Sequence, residues 1–289
     1  MTIRTLHTVH RGDGFHWVGD GFYVTQLLPA SPELQRLTDP FLLMDYNPVK
    51  EYPPTTTPRG VGVHPHRGFE TVTMAFEGAV AHHDSTGAGG VIRPGDVQWM
   101  TAASGILHKE YHDPEWAARG GRFHMMQLWV NLPAAHKMDA PGYQPLTAES
   151  MGKVKLDDGG VVTLVAGELD DVRGPARTVT PISLWDVQLG ADESTDLAVP
   201  DGHTLMTFVL DGELTTSTGT IGREEMGIFN REGDRLQVTA GEVGARFLVL
   251  GGKPIDEPVV FYGPFVMNTM EEIREAMVDF NNGKFGTLV

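Results

Sequence analysis

Two short runs hold the residues best suited to chemistry: His64-Pro65-His66 and His108-Lys109-Glu110, each a pair of metal-binding side chains separated by one residue. On a β-strand successive side chains alternate between faces, so residues two apart project together and can converge on one ion. Both runs lie in strand-like sequence. Val63 precedes the first, and Phe69, Val72, Met74 and Phe76 follow it up to a turn at Glu77-Gly78, an apolar-rich segment rather than a polar loop. A chain with 12 histidines also produces such pairs by chance, solvated at strand edges. Imidazoles buried without a partner cost about 1–3 kcal/mol each, so an ion is the simplest partner for a pair that points inward. Two pairs make a four-ligand set.

Strand parity leaves the acidic member open. Glu70 lies four residues after His66 and shares its face if the strand is regular, so it competes with Glu110. His112 has the parity of His108 and Glu110 but stands just before Asp113-Pro114, where a strand should end. His82-His83-Asp84 precedes the run Gly87-Ala88-Gly89-Gly90, which predicts a solvated turn. His124, within the apolar and aromatic run 122–130, is expected as a hydrogen-bonded core histidine.

Longer runs add specificity. His64-Pro-His-Arg-Gly-Phe-Glu-Thr-Val-Thr73, Arg93-Pro-Gly-Asp-Val-Gln-Trp-Met-Thr-Ala102, Ser104-Gly-Ile-Leu-His108 and Gln127-Leu-Trp-Val-Asn-Leu-Pro133 resemble the pirin family of the cupin superfamily. The ending Gly263-Pro-Phe-Val-Met-Asn268, a short acidic helix and Asn282-Gly-Lys-Phe-Gly286 extends the resemblance over most of the chain. It implies an all-β bicupin: two tandem antiparallel β-barrels of jelly-roll type with a short C-terminal helix. It also implies one metal in the N-terminal barrel, held by His64, His66, His108 and Glu110, with Glu70 left to orient a ring N–H.

The residue types suit one divalent transition metal, Fe, Mn, Ni, Co, Cu or Zn, and the resemblance favours Fe. Four protein ligands leave up to two positions open on a six-coordinate ion, as a catalytic site requires. Some pirin-like proteins open flavonols such as quercetin with O₂ and release carbon monoxide. The resemblance therefore implies a metal-dependent dioxygenase acting on a flavonol-like small molecule and O₂. Glu110 would be the catalytic base that takes the 3-hydroxyl proton, and Val72, Met74 and Phe76 would line a slot for the flat ring. Other pirin-like proteins are regulatory partners of a transcription factor or metabolic enzyme, without turnover, the metal's oxidation state setting the surface. A third role is a metal that merely staples the barrel.

Composition agrees with the class. At 289 residues, with 35 Gly and 19 Pro, the chain is cut into short segments with many turns, as in all-β folds, and is near the size at which cores divide. Zero cysteines exclude disulfides, thiolate metal sites and a cysteine nucleophile. Acids outnumber bases 38 to 22, a formal charge of -16, which opposes direct nucleic-acid binding and suits a protein partner with a basic face. No run of about 18 apolar residues exists, and residues 1–12 carry charge without an apolar core, so a cytoplasmic protein without membrane contact is expected.

A repeat predicts the second barrel. Thr73-Met-Ala-Phe-Glu-Gly-Ala-Val80 and Thr207-Phe-Val-Leu-Asp-Gly-Glu-Leu214 share a strand, acidic-Gly turn, strand pattern, and Gly-Asp turns follow at Gly95-Asp96 and Gly233-Asp234. The expected domains are 1–138, the metal-binding barrel, and 139–289, a barrel without ligands plus the C-terminal helix, with 132–145 as linker. The repeat spacing maps His64 and His66 onto Ala198 and Pro200, and the Gly-Asp spacing maps His108 and Glu110 onto Arg246 and Leu248. His203 stands alone there and is expected to be structural. Thr269 with Glu272 forms a capping box ahead of a helix whose stripe is Ile273, Ala276, Met277 and Phe280, ending at Asn282-Gly283. Asp170-Asp171 is expected as solvated loop.

Overall fold

The computed structural model describes residues 1–289 except 30, 32, 158 and 289. In chain order the elements begin β1 (Leu6–His10), β2 (Phe15–Val18), β3 (Phe22–Leu28), α1 (Gln35–Thr38), β4 (Phe41–Tyr52), β5 (Gly60–His66), β6 (Phe69–Glu77) and β7 (Val80–Asp84). There follow β8 (Gly89–Ile92), β9 (Val97–Thr101), β10 (Ile106–His112), α2 (Pro114–Arg119), β11 (Gly121–Asn131) and β12 (Gly142–Leu146). Next come β13 (Gly152–Lys155), β14 (Val161–Ala166), β15 (Glu168–Leu169), β16 (Val172–Arg173), β17 (Ile182–Leu189) and β18 (Ser194–Ala198). The chain closes with β19 (Thr204–Thr216), β20 (Gly219–Ile221), β21 (Met226–Phe229), β22 (Arg235–Gly252), β23 (Val260–Tyr262), β24 (Phe265–Met267) and α3 (Met270–Asn281). No helix among the described residues is long and apolar enough to cross a membrane.

The chain forms two compact units that depart from chain order at both ends. The N-terminal barrel holds 13–28, 41–148 and 256–289; the C-terminal barrel holds 1–12, 29–40 and 149–255. Residues 1–12, which the sequence places in 1–138, join the later barrel because β1 pairs with β21. Residues 256–289, α3 included, join the earlier one, where Phe265, Met267, Ile273, Ala276 and Phe285 pack together with Leu107. The expected linker is partly strand: β12 pairs with β9 from Gly142↔Thr101 to Leu146↔Val97.

In the N-terminal barrel a seven-stranded sheet, β12-β9-β6-β11-β4-β3-β2, and a four-stranded sheet, β5-β10-β7-β8, turn side chains into a shared interior. One part of that interior is apolar, with Phe22, Val24, Val80, Ile92, Phe123 and Met125, each worth about 1.5–3 kcal/mol of burial. The rest is polar and forms the candidate site.

The C-terminal barrel is built on β1-β21-β19-β22-β17-β14-β13, with β18 on β22 and β20 on β19, and its core is filled by residues such as Trp185, Leu197, Val209, Phe229, Leu236, Val238 and Phe247. Where the N-terminal barrel pairs β5 with β10, His64 opposite His108, this barrel pairs β18 with the first half of β22, Thr195 opposite Val238 and Leu197 opposite Leu236. Arg246 and Leu248 belong to the second half of β22, which pairs with β17 and β19 as β11 pairs with β4 and β6. The Gly-Asp spacing therefore points one strand too far, and the buried positions of this pairing are Thr195, Leu197, Leu236 and Val238, none of them a metal-binding side chain.

Helix α3 has the capping box, Thr269 accepting from the Glu272 N–H and Glu272 accepting from the Thr269 N–H. Its buried face is narrower than the stripe: Ile273, Ala276 and Asp279 are buried while Met277 and Phe280 are 37% and 38% exposed. Arg67 reaches Asp279 at 3.0 Å, which rotates the acid inward in place of Phe280. Asp170 and Asp171 form the positive-φ turn between β15 and β16, as expected for a solvated loop.

Candidate metal centre

Antiparallel pairing of β5 with β10 sets His64 directly opposite His108 and His66 opposite Ile106. Coordinating atoms of His64, His66 and His108 lie within 4.8 Å of one another, and ring centroids stand 4.2 Å (His64–His108), 4.7 Å (His66–His108) and 4.8 Å (His64–His66) apart. Backbone carbonyls orient two of the rings. His64 Nδ1 donates to Gly62 O at 2.8 Å and His66 Nδ1 to Pro264 O at 3.4 Å, which leaves each Nε2 as the lone-pair nitrogen.

His108 Nε2 is buried and has no hydrogen-bond partner. Such an orphan costs about 1–3 kcal/mol, and a cation between the rings is the partner it fits. Burial first, and His64 second, lower the His66 pKa to about 3 against the Pro264 carbonyl; burial and the neighbouring imidazoles hold His108 well below its ordinary value. Both rings are therefore neutral near pH 7, the state that can coordinate.

The β5–β10 pairing shifts register between His108 and Glu110, with one extra residue on β5, which sets Glu110 opposite Val61. Its carboxylate is aimed by three donors. Oε1 accepts from Thr73 Oγ1 at 3.2 Å and from Gln98 Nε2, and Oε2 accepts from Gln127 Nε2 at 2.7 Å. Trp129 Nε1 donates to Gln127 Oε1 at 3.4 Å, which turns the amide nitrogen toward Glu110. Glu110 gathers with His108 and His82, their coordinating atoms within 4.8 Å.

A cavity of about 330 Å³ borders this cluster, lined by His64, His66, Glu110 and Gln127 together with Asp45 and an apolar wall that includes Phe22, Met125 and Trp129. That is the lower end of the range for small-molecule sites, and the mixture of apolar wall and few polar groups is typical of them. Asp45 pairs across strands with Gln127. Its Oδ1 is buried without a donor, and burial raises its pKa to about 6 against the field of His16.

Several expectations are corrected. Glu70 does not share the face of His66, because Arg67-Gly68, with Gly68 at φ +90°, breaks the alternation between β5 and β6. Thr73 and Ala75 face the interior, so Glu70 faces away, accepting from Thr101 at 2.7 Å. Val72, Met74 and Phe76 share the parity of Glu70 and none lines the cavity. His82 lies on β7 and is fully buried, whereas His83 is exposed against Tyr111. The glycine run that signals the turn begins only after Asp84, so the strand continues through the histidines.

Other residues follow their expectation. His112 donates to Gly21 O at 2.9 Å and packs on Tyr52, Trp116 and Phe123. His124 is buried and hydrogen-bonds Tyr46 at 3.0 Å. The sequence reading missed Asp45, Thr73, Gln98, Gln127 and Trp129. Gln98 and Gln127 carried a signal, since polar amides stand there in apolar strand runs.

Comparison with known proteins matches this architecture. The Pirin family model covers residues 21–130 and that of the Pirin C-terminal cupin domain residues 184–286. A Pseudomonas aeruginosa protein provisionally named quercetin 2,3-dioxygenase is 48% identical over 271 residues, 93% of this chain and 94% of its own. A pirin-like protein of Caulobacter vibrioides is 40% identical, over 92% and 94% of the two chains. The crystal structure of quercetin 2,3-dioxygenase from Acinetobacter baumannii matches with a TM-score of 0.94 at 45% identity, covering 99% of this chain and 100% of that one. With both halves matched and relatives aligned over nearly their full lengths, the chain belongs to the pirin family, with its bicupin fold.

Proposed function

We propose that this protein is a metal-dependent dioxygenase that opens flavonols such as quercetin with O₂. The observation that carries the reading is the cavity of about 330 Å³ whose wall combines apolar and aromatic side chains with His64, His66 and Glu110. The relatives named quercetin 2,3-dioxygenase support the substrate class. His64, His66, His108 and Glu110 would hold one divalent metal, Fe by preference, which when bound supplies Lewis acidity toward the flavonol oxygens and a place for O₂.

The chain's own residues bind and orient the substrate. Phe22, Met125 and Trp129 take the flat ring system and keep water from it. Glu110, aimed by Thr73, Gln98 and Gln127, accepts the 3-hydroxyl proton, and Asp45, which has no donor on Oδ1, accepts a second ring hydroxyl. In the overall reaction the two ring bonds to the hydroxyl-bearing carbon break and that carbon leaves as carbon monoxide with its own oxygen. Both atoms of O₂ end in the ring-opened ester acid, so no reductant is consumed.

The test is protein loaded anaerobically with Fe, Mn, Ni, Co, Cu or Zn, mixed with quercetin and then with O₂. Flavonol absorbance should fall, with carbon monoxide released, faster than in metal-only controls; no loss with any of these metals rejects the reading. A second reading, a regulatory partner without turnover, is favoured by Phe15 and Trp17, about half exposed on the edge strand β2. Metal uptake without turnover, together with partner capture that His66→Ala abolishes, would support it.

A further inference from the structure

Behind His108 lies a second imidazole that flavonol binding does not use. His82 and Asp84 are both fully buried in their side chains, and His82 Nε2 stands 3.0 Å from Asp84 Oδ2. On its other side His82 Nδ1 stands 3.4 Å from His108 Nδ1. Tyr143 stacks on the His82 ring at 4.9 Å and 9°, which fixes the ring plane. β7 and β10 hold the row in register, pairing Asp84 with His108 and His82 with Glu110.

Hydrogen-bond polarity follows from these contacts. A carboxylate only accepts, so His82 Nε2 donates to Asp84, and in the neutral ring Nδ1 is then an acceptor. It can be satisfied only if His108 Nδ1 carries a proton and donates. That leaves His108 Nε2 as the lone-pair nitrogen, the same atom that is buried without a hydrogen-bond partner.

We propose that Asp84, acting through His82, is a positioning residue that fixes the tautomer of His108 and so presents its Nε2 for coordination. His82 is not itself a ligand in this arrangement, because both its nitrogens are engaged. The inference rests on the reading of His108 as a metal ligand. Outer partners of ligating histidines commonly set metal affinity by 10–100-fold, but here the carboxylate acts one ring further out.

Asp84→Asn separates this role from a structural one. Asp84 Oδ1 accepts from Thr86 N at 2.8 Å and Thr86 Oγ1 at 2.6 Å, so the asparagine keeps its carbonyl there and turns its amide toward His82. The row then reverses: His82 donates to His108 Nδ1, and the proton of His108 moves to Nε2.

Two readouts on the full chain decide the matter. Long-range proton–nitrogen NMR on metal-free, histidine-labelled protein should show His108 protonated at Nδ1 in the wild type and at Nε2 in Asp84→Asn. Fe(II) affinity, measured anaerobically with the metal alone by chelator competition, should fall about 10–100-fold in Asp84→Asn with an unchanged melting temperature. His82→Gln, whose amide can donate to Asp84 and accept from His108, should retain most of the affinity that His82→Leu loses.

A wild-type His108 protonated at Nε2, unchanged affinity in Asp84→Asn, or equal losses in His82→Gln and His82→Leu would each overturn the proposal. Wild-type protein that takes up no Fe(II) while showing the Nδ1–H tautomer would instead overturn the ligand reading alone.

Discussion

Asp45 and Glu110 are two carboxylates on one cavity wall with opposite surroundings. Glu110 is aimed by three donors, whereas Asp45 Oδ1 has none and burial raises its pKa to about 6. An acceptor for a substrate hydroxyl works best ionised, so turnover should rise with pH through about 6 and fall away below it. Asp45→Asn is expected to lower kcat/KM for quercetin by about 10–100-fold, the size of a lost hydrogen bond to a charged group, and to flatten that acidic limb; a profile unchanged from wild type would remove Asp45 from the site.

Glu70 gives a stability prediction of the opposite sense. Burial raises its pKa from 4.5 to about 7, against the hydrogen bond from Thr101. The native state therefore holds a proton that the unfolded chain releases above the ordinary carboxylate range. Its contribution is fully present below about pH 4.5 and is lost as pH rises through about 7. At about 1.4 kcal/mol per unit of pKa, Glu70→Gln should stabilise the protein by about 3 kcal/mol at pH 8 relative to its effect at pH 4. Denaturant titrations at the two pH values check this, and an equal effect at both would refute it.

Strand alternation explains what was legible at the scale of elements. From His64 to His66 on β5 and along β10 the period of two is regular, so His64 with His66, and His108 with Glu110, were readable as inward pairs from spacing alone. The Arg67-Gly68 step was not, because a single positive-φ residue reverses the parity of everything after it, and it is why Glu70, Val72, Met74 and Phe76 were placed on the wrong face. His82 escaped because turn residues mark where a strand has already ended, not how far it runs. Gln98 and Gln127 stood out only as polar amides in apolar strand runs; which groups they and Asp45 meet depends on sheet order, which no local pattern reveals.

Gly68 is the element-scale test. A Cβ there would meet Val266 O at 1.9 Å, and φ is +90°. Gly68→Ala must push β24 away from the β5–β6 junction, where Pro264 O anchors His66 and Lys137 Nζ donates to Gly68 O at 2.6 Å. The expected cost is on the order of 3 kcal/mol, seen as a lower melting temperature with weakened metal uptake. A variant as stable as wild type would show that the junction is not constrained as described.

At the scale of the whole molecule, one barrel keeps a polar interior and the other fills its own with apolar side chains. The repeat in the sequence revealed two barrels, but the exchange of tails, residues 1–12 to one and 256–289 to the other, depends on pairings across more than two hundred residues and left no local signal. That exchange supplies Pro264 O to His66 and Asp279 to Arg67, so the end of the chain is part of the unit that carries the candidate site. The proposed function then depends on one ion among four named groups.

Diffraction data collected at the absorption edge of the metal carried by the purified protein test this most directly. The account predicts a single anomalous peak about 2.0–2.3 Å from His64, His66 and His108 nitrogens and a Glu110 oxygen. A metal-loaded crystal whose peak lies elsewhere, or whose His108 Nε2 points away from it, would contradict the account.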